Sequence, residues 1–270
     1  MLNANKKPQM KLCIYKILFF TCGICAFTNS YSQIIYKGFI GENAIEMIIR
    51  VCANNEISGS YSYDIHKAPL KIKGQLPGSS LKGLKNMIEI NDNGNIISTF
   101  EITKHRDDDE FNGTWTCMSD KKELHFSIQK DIVVSADGIF GGMELGQSES
   151  LPDKYFKLIL KTDSSNFSTF VEKVKVIDKK TDRVVQEISG LSCTLMYFDN
   201  VTVFDYNFDG NMDFSIFAAY NGSLKTQRLY FLYNAKTKIY DQVNIIENKI
   251  NPLSDPKQKT EMSVNNIYKN

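Results

Sequence analysis

The sequence predicts a mainly β protein with an N-terminal antiparallel eight-stranded barrel or sandwich and a C-terminal antiparallel β domain. Short apolar segments recur about every ten residues, a spacing typical of antiparallel sheets. Turn-forming Asn, Asp and Gly residues separate them, and no segment of helical period intervenes. The composition, with 42% hydrophobic residues, 17 Phe and 13 Tyr, is that of a folded chain.

Residues 1–32 have the features of an export signal. Their apolar run Ile17–Phe27 is shorter than the ~20 residues that a membrane-spanning helix requires. Cleavage after Ser32 would make Gln33 the first residue of the mature protein, which we expect in the periplasm, at the cell surface or outside the cell. Basic residues precede the apolar run at Lys6, Lys7, Lys11 and Lys16.

The charge of the mature chain argues against nucleic acid as a partner. Because the leader contains four of the 32 basic residues and none of the 31 acidic residues, its removal leaves 28 basic residues against 31 acidic ones, a net charge of −3. A nucleic-acid interface requires concentrated positive charge. We therefore expect a partner of another class.

Three of the six cysteines lie outside the leader. In an oxidising compartment Cys52 and Cys117 can form a disulfide, and its long loop would stabilise the fold by about 4 kcal/mol at most. The sequence leaves this pairing open. If the two are paired, Cys193, which lies in an apolar run, is predicted to be a buried free thiol.

The N-terminal antiparallel β domain is predicted to span residues 33–130. Turn-forming residues separate its strands, and we expect the meander to close into a small barrel because closure removes exposed sheet edges. Trp115, the single Trp of the chain, is predicted to anchor the core. The predicted strands are 34–40, 44–52, 57–63, 70–76, 86–91, 96–104, 111–117 and 124–130.

The second half of the chain begins after a predicted linker at 131–152. Small residues, including the pair Gly141-Gly142, and polar residues mark this stretch, which ends at Pro152. A C-terminal β domain is predicted over 153–257, followed by a polar tail at 258–270. Its predicted strands are 155–161, 170–178, 184–189, 195–204, 213–220, 226–233 and 239–243.

One stretch of this domain, DYNFDGNMDF at 205–214, has the ligand spacing of a calcium-binding loop. Ca²⁺ takes about six to eight oxygen ligands, and Asp205, Asn207 and Asp209 occupy loop positions 1, 3 and 5. Gly210 stands at position 6, where the backbone turns sharply. The other predicted metal ligands are Asn211 at position 7, through its backbone carbonyl, and Asp213 at position 9, directly or through water.

The loop departs from a helical EF-hand at its end. Ile216 occupies position 12, where an EF-hand places a bidentate Glu. The short aromatic exit segment 214–220 favours a strand over a helix, so we predict an EF-hand-like Ca²⁺ loop between two strands. An Asx-rich hairpin turn without metal is the alternative interpretation, because Asn, Asp and Gly also form turns through local hydrogen bonds.

The loop and its flanking strands resemble two known groups. The motif D-x-N-x-D-G-x-x-D-F is similar to the calcium loop of FG-GAP repeats in integrin-type β-propellers, although those occur in series and this chain has one copy. With the aromatic strand that contains Tyr230–Asn234, the stretch 155–257 resembles the exported calcium-loop immunity proteins of bacterial antibacterial secretion systems. That resemblance implies the same five ligands for Ca²⁺ and the inhibition of peptidoglycan-cleaving, lysozyme-like hydrolases.

The sequence favours a binding protein over an enzyme. The acids with clear spacing belong to the loop, and His66, His105 and His125 have neither metal nor triad spacing. The expected protein is therefore an exported Ca²⁺-binding β-protein that acts as an immunity-like inhibitor of a protein partner, with a peptidoglycan hydrolase as the implied partner. A carbohydrate-binding or adhesion protein is the alternative. Its sugar platform would use exposed aromatic residues such as Tyr61, Tyr63 or Tyr230.

Overall fold

The computed structural model describes residues 33–243 except 53, 79, 136–137, 139, 164, 166–167, 197–198 and 221–225, and it leaves the side chains of 220 and 226 undescribed. The predicted export signal and polar tail lie outside these residues. Within them the chain consists of β-strands and one 3₁₀ turn at Leu81–Gly83, and no α-helix is present. The predicted mainly β class is confirmed.

Residues 33–134 form a closed barrel of eight antiparallel strands, as the hairpin pattern predicts. Neighbouring strands pair in sequence order, and the first strand also pairs with the eighth. The observed strands lie close to the predicted ones. They are β1 (Gln33–Ile40), β2 (Asn43–Val51), β3 (Glu56–Tyr63), β4 (His66–Gln75), β5 (Asn86–Ile90), β6 (Ile96–Arg106), β7 (Glu110–Cys117) and β8 (Glu123–Val134).

The two ends of the barrel carry different connections. The turns β1–β2, β3–β4, β5–β6 and β7–β8, at residues 41–42, 64–65, 91–95 and 118–122, lie at one end, which we call the hairpin rim. The other three connections and the open ends of β1 and β8 lie at the opposite end. Odd-numbered strands therefore run toward the hairpin rim, and even-numbered strands run away from it.

Aromatic side chains fill the barrel interior. The Phe100 ring contacts the rings of Tyr61 and Phe126 edge to face, with centroids 5.5 and 5.3 Å apart. Trp115 is half-buried and packs against this cluster. Gly113 allows β6 and β7 to approach closely, because a Cβ there would lie 1.9 Å from the backbone oxygen of Glu101.

Strand β2 is apolar on both faces only at residues 47–49. Ile45, Met47 and Ile49 point into the barrel, whereas Ile48 joins a second core outside it. Since successive side chains of a strand point to opposite faces, an apolar run of this kind predicts a strand that is covered on both sides. The covering layer is the second half of the chain.

Two antiparallel sheets make up that second half. One has the order β12-β11-β10-β9, with β13 also paired to β11, and the other has the order β14-β15-β16-β17. The strands are β9 (Glu144–Ser150), β10 (Lys154–Asp163), β11 (Ser168–Asp178), β12 (Val184–Ile188), β13 (Cys193–Thr194), β14 (Val201–Phe204), β15 (Asp213–Tyr220), β16 (Thr226–Asn234) and β17 (Ile239–Val243). Strand β9 lies within the stretch predicted as a linker, where Leu145 is its one large apolar residue.

The two sheets and the outer wall of the barrel share one apolar core. Phe156 of β10 packs against Phe214 of β15, with ring centroids 4.7 Å apart, and Phe214 stacks on Phe231 of β16 at 4.8 Å. Ile35 and Ile48 of the barrel belong to the same cluster of buried side chains. The burial of these large side chains from several elements is the main source of stability in this half.

Two glutamine side chains close the seams between the sheets. Gln186 of β12 donates to the backbone oxygen of Tyr240 at 2.9 Å and accepts from its backbone N–H at 2.8 Å. At the other seam, Gln147 of β9 accepts from the backbone N–H groups of Asn200 and Val201 at 2.8 and 3.3 Å. The facing edge strands do not pair through their backbones. Each glutamine amide therefore supplies hydrogen-bond partners to backbone groups of the opposite sheet.

A buried arginine fastens the barrel to these sheets. Arg50 of β2 is fully buried and donates to Gln33 Oε1 at 3.0 Å and to Ser148 Oγ at 2.8 Å. Its guanidinium also forms an ion pair with Asp199 at 3.2 Å. A buried charge that loses its partners is strongly destabilising, so this contact specifies how the halves join.

The Cys52–Cys117 disulfide, which the sequence left open, is not formed. Cys52 follows β2 at the end of the barrel opposite the hairpin rim, whereas Cys117 ends β7 at the rim, and both are free thiols. The two residues lie apart because even-numbered and odd-numbered strands run in opposite directions and therefore end at opposite ends of the barrel. Cys193 is a buried free thiol although the other two cysteines are unpaired, and burial raises its pKa to about 11.

Candidate cation loop

The predicted cation loop joins two strands, as its exit sequence indicates. Residues 205–212 connect β14 to β15, and Asp213 is the first residue of β15. The two strands pair antiparallel, with Phe204 opposite Asp213. The loop is therefore a long hairpin connection at the end of a sheet.

Two residues of the loop have left-handed backbone conformations. Gly210 has a φ of 88° and Phe208 a φ of 59°. Gly210 adopts this conformation readily, which agrees with its predicted role at the sharp turn. A residue with a Cβ pays about 1–2 kcal/mol for it, so the surrounding hydrogen bonds must hold Phe208 in place.

Those hydrogen bonds converge on the backbone N–H groups of the loop. Asp205 accepts from the N–H of Asp209 at 3.1 Å and of Gly210 at 2.9 Å. Asn207 Oδ1 accepts from the same N–H of Asp209 at 3.1 Å, and Asp209 accepts from the N–H of Asn211 at 2.7 Å. The structure thus brings the side-chain oxygens of positions 1, 3 and 5 around one short segment of backbone.

Asp213 anchors the loop to the sheet. Its carboxylate is buried and accepts from the backbone N–H of Tyr206 at 2.9 Å and of Tyr233 on β16 at 2.8 Å. Burial raises the pKa of Asp213, the two N–H donors oppose that shift, and the charges of Asp209 and Asp205 add to it. The predicted ligand at position 9 therefore also holds the loop against the neighbouring strand.

Asp209 lies in a different electrostatic environment. Burial acts to raise its pKa, but hydrogen bonds from Asn211 and Asn207 outweigh this effect and lower the pKa. Asp209 is exposed, Asp205 is half-buried, and no Lys or Arg among the described residues forms an ion pair with either. The loop therefore carries negative charge without a cationic side chain in contact.

The donor set consists of hard oxygen atoms, which suit Ca²⁺ better than a softer metal. Within the described chain, no three His, Cys, Asp or Glu side chains group as in a metal site. A cation at this loop would hence depend on amide and carbonyl oxygens of Asn207 and Asn211 in addition to carboxylates. Ile216 is fully buried in the core and supplies nothing at position 12.

An apolar surface that was not predicted from the sequence lies around the loop. Phe204, Phe208 and Met212 are 44%, 51% and 41% exposed, and the rings of Phe204 and Phe208 lie 6.1 Å apart. We call these three side chains the loop patch. The alternation of Phe204, Tyr206 and Phe208 is the signal in the sequence, because Tyr206 is buried while its two neighbours are not.

A polar cluster beneath the loop also escaped prediction. The hydroxyl groups of Tyr206 and Ser215 lie 2.8 Å apart, and Arg228 Nε donates to Ser215 Oγ at 2.7 Å. Arg228 also donates to the backbone oxygen of Asn200 at 2.9 Å. These contacts connect β14, β15 and β16 on the face opposite the shared core.

The aromatic residues considered for sugar binding are largely packed. Tyr61 is buried inside the barrel, so it cannot contribute to an exposed platform. Tyr230 packs edge to face against Tyr206, with centroids 5.0 Å apart, and Tyr63 is half-buried. Tyr61 therefore belongs to the packed face of its strand.

Comparison of the chain with models of protein families, with curated proteins and with solved structures gave no match in any of the three. The resemblance to calcium-loop immunity proteins therefore stays a prediction from the motif. Among the described residues, no helix is long and apolar enough to cross a membrane.

Proposed function

We propose that this protein is an exported Ca²⁺-binding β-protein that recognises a protein partner through the loop patch and inhibits it. The supporting observation is the position of the loop patch. Phe208 and Met212 are exposed on the backbone segment whose carboxylates form no ion pair with a Lys or Arg of the described residues. A cation bound there would act directly on the shape of an apolar surface.

Calcium would serve as a structural ion in this proposal. It would offset the repulsion of Asp213 by Asp209 and Asp205, which adds to the effect of burial in raising the pKa of Asp213. Without a bidentate acid at position 12, we expect an affinity near that of extracellular modules, about 10⁻⁴–10⁻³ M. Fixing Phe208 before binding would lower the conformational entropy lost on association.

The chemistry of the loop patch favours a protein partner. Aromatic and Met side chains are enriched in the cores of protein interfaces. The partner that the resemblance implies is a peptidoglycan hydrolase of the lysozyme type. The proposal gives the protein no catalytic role, since its three histidines lie exposed on β4, β6 and β8 rather than together.

Thermal unfolding tests the calcium site. With millimolar CaCl₂ instead of EDTA, binding at about tenfold above Kd stabilises the fold by about 1.4 kcal/mol and raises Tm by about 3–6 °C. Asp209→Asn should abolish this rise, while Asp241→Asn on β17 should retain it. Equal melting curves with CaCl₂ and EDTA, together with a metal-free purified protein, would refute the site.

Binding to a lysozyme-type peptidoglycan hydrolase tests the partner. We expect inhibition that weakens at least tenfold in EDTA and in the double variant Phe208→Ala, Met212→Ala, because two interface anchors contribute about 1 kcal/mol or more each. Phe39→Ala removes an exposed ring of the barrel and serves as the control. Inhibition that is unchanged in the double variant would exclude the loop patch as the contact.

A further inference from the structure

A cavity lies between the outer wall of the barrel and the sheet that contains β9 and β10. Its volume is about 100 Å³, several times the ~10–15 Å³ that one water molecule needs. The barrel contributes residues of β2, β3 and β4 to its lining, and the sheet contributes residues of β9 and β10. The cavity therefore belongs to the junction between the two halves of the chain.

The strand register shows which barrel side chains face this cavity. Tyr61 points into the barrel, so its neighbours Ser60 and Ser62 point outward, because successive side chains of a strand alternate. Ser60 is paired with Ile48 of β2, and Ser62 is paired with Glu46, which also point outward. All four outward residues line the cavity. Glu46, Ser60 and Ser62 thus share one face of the barrel wall.

These three polar side chains have no hydrogen-bond partner among the described residues. Ser60 is 3% exposed, yet neither its hydroxyl nor that of Ser62 bonds to a described residue. Glu46 is half-buried and forms no ion pair with a described Lys or Arg. Because buried polar groups are normally hydrogen-bonded, this wall needs a partner that enters the cavity.

The polar side chains on the opposite wall are already paired. The hydroxyl of Tyr155 donates to Asp182 at 3.1 Å. Glu144 accepts from Lys175 at 2.5 Å, and its other carboxylate oxygen lies 3.5 Å from Lys157 Nζ. One carboxylate therefore serves two ammonium groups, and these three side chains together carry one positive charge in excess.

Other cations around the cavity have counter-ions of their own. The pairs are Lys37–Asp131 at 2.8 Å, Lys67–Asp64 at 2.7 Å and Lys71–Glu149 at 3.1 Å. Among the residues that line the cavity, the unmatched charges are hence the negative charge of Glu46 on the barrel wall and the positive charge of Lys157 on the sheet wall.

We propose that this cavity binds a small zwitterion, a molecule that carries both an ammonium group and a carboxylate, as an amino acid does. Its ammonium group would be bound by Glu46 and by the hydroxyls of Ser60 and Ser62, which can accept hydrogen bonds. Its carboxylate would pair with Lys157. Opposite charges attract more strongly in a partly enclosed site than in water. This site is separate from the cation loop and does not depend on the proposed function.

Two zwitterions that differ in the spacing of their charges serve as probes: glycine and 4-aminobutyrate. Each has controls that keep one charge only. Glycinamide and n-butylamine keep the ammonium group, whereas N-acetylglycine and butyrate keep the carboxylate. We expect at least one zwitterion to bind at least tenfold more tightly than both of its controls. Tighter binding of glycine indicates an α-amino acid, and tighter binding of 4-aminobutyrate indicates a ligand with more widely spaced charges.

The backbone amide signals of Ser60 and Ser62 in a ¹⁵N–¹H correlation spectrum provide the measurement, because both residues line the cavity. Gly113 provides the control signal, since β7 lies four strands from β3 and thus on the opposite side of the barrel. We expect saturable shifts of the two serine signals and none of Gly113. The proposal is overturned if neither zwitterion gives a saturable shift, or if the controls with one charge bind equally well.

Substitution of Glu46 and of Lys157 tests the two ends of the ligand separately. Glu46→Gln and Lys157→Gln should each weaken binding of the zwitterion at least tenfold, because each removes one of the two charges. Glu42→Gln in the exposed β1–β2 turn and Lys161→Gln on the same strand as Lys157 should bind as the parent protein does. Equal affinity in Glu46→Gln or in Lys157→Gln would overturn the proposal.

Ser60→Ala covers the case in which Glu46→Gln does not fold. Because the Ser60 hydroxyl has no partner in the described protein, its removal should not lower the Tm of the ligand-free protein. Affinity for the zwitterion should fall several-fold. Unchanged affinity, or a lower Tm without ligand, would contradict a hydroxyl that serves the ligand.

Discussion

The barrel and the paired sheets are both antiparallel β structures, yet different interactions organise them. Barrel strands follow one another through short connections, and apolar side chains fill its interior. The sheets depend on polar side chains that join distant segments, among them Gln147, Gln186 and Asp213. Local patterning therefore accounts for the barrel, whereas the way in which the two sheets join depends on long-range polar contacts.

Substitution of Arg50 is expected to have the largest effect on stability and tests this contrast most strongly. Arg50→Ala leaves Asp199 without its ion pair, and we expect a loss of about 3–5 kcal/mol in the free energy of unfolding. Urea denaturation followed by far-UV circular dichroism measures it, and Trp115 fluorescence reports on the barrel alone. If the barrel is self-sufficient, its fluorescence transition should occur at higher urea than the loss of the sheets.

Arg106→Ala, at an exposed position on β6, serves as the control for this experiment. A single transition with a loss below about 1 kcal/mol, as is usual for surface ion pairs, would show that Arg50 does not join the two halves.

Gln186 provides a test of intermediate size. Gln186→Ala leaves the backbone N–H and oxygen of Tyr240 without these partners, which should cost about 1–3 kcal/mol. Amide hydrogen exchange should show faster exchange in β17 than in the barrel. Gln242→Ala, exposed on the same strand, should leave exchange unchanged, and slow exchange of Tyr240 in Gln186→Ala would contradict the seam contact.

The smallest expected effect is the contribution of Glu144 to the pH dependence of stability. A hydrogen bond from Lys175 lowers the pKa of Glu144 below its ordinary value of 4.5, although burial opposes the shift. The deprotonated form therefore stabilises the folded state above the unfolded pKa, and this stabilisation is lost as pH falls through the lowered folded pKa.

Glu144 is partly exposed, so solvent screening limits the effect of Glu144→Gln to about 0.5 kcal/mol at neutral pH. Urea denaturation should show this difference at neutral pH and no difference in strong acid. Glu123→Gln on β8 provides the comparison in the barrel. If the difference in the free energy of unfolding between Glu144→Gln and the parent protein increased as the pH fell, the predicted direction of the pH dependence would be wrong.

The barrel could be predicted almost strand by strand, because each hairpin has its turn residues and alternation in one short stretch. Strand β9 could not, since its buried residues include Gln147 and Ser148, which local patterning places on the surface. Only the contacts of these side chains with Asn200 and Arg50 explain their burial. By contrast, the separation of Cys52 and Cys117 follows from the predicted strand order, because Cys52 follows the second strand and Cys117 ends the seventh, which run in opposite directions.

The candidate loop was predictable to a similar extent. Its position between strands and its left-handed Gly210 followed from spacing and residue type. The sequence could not indicate that Asp213 is buried against β16, because that contact depends on how β15 and β16 pair. It also did not indicate the cavity beside Glu46 and Ser60, because the walls of that cavity come from strands distant in the chain.

Local residue patterns were sufficient to predict the β class, the order of the barrel hairpins and the spacing of oxygen atoms in the candidate cation loop. These properties arise from residues close together in the chain, where backbone preference and side-chain period act directly. The tertiary structure alone decided which polar side chains became buried and what they contact, including Arg50, Gln147 and Asp213. Their partners come from distant strands, so their environments exist only once the chain has folded.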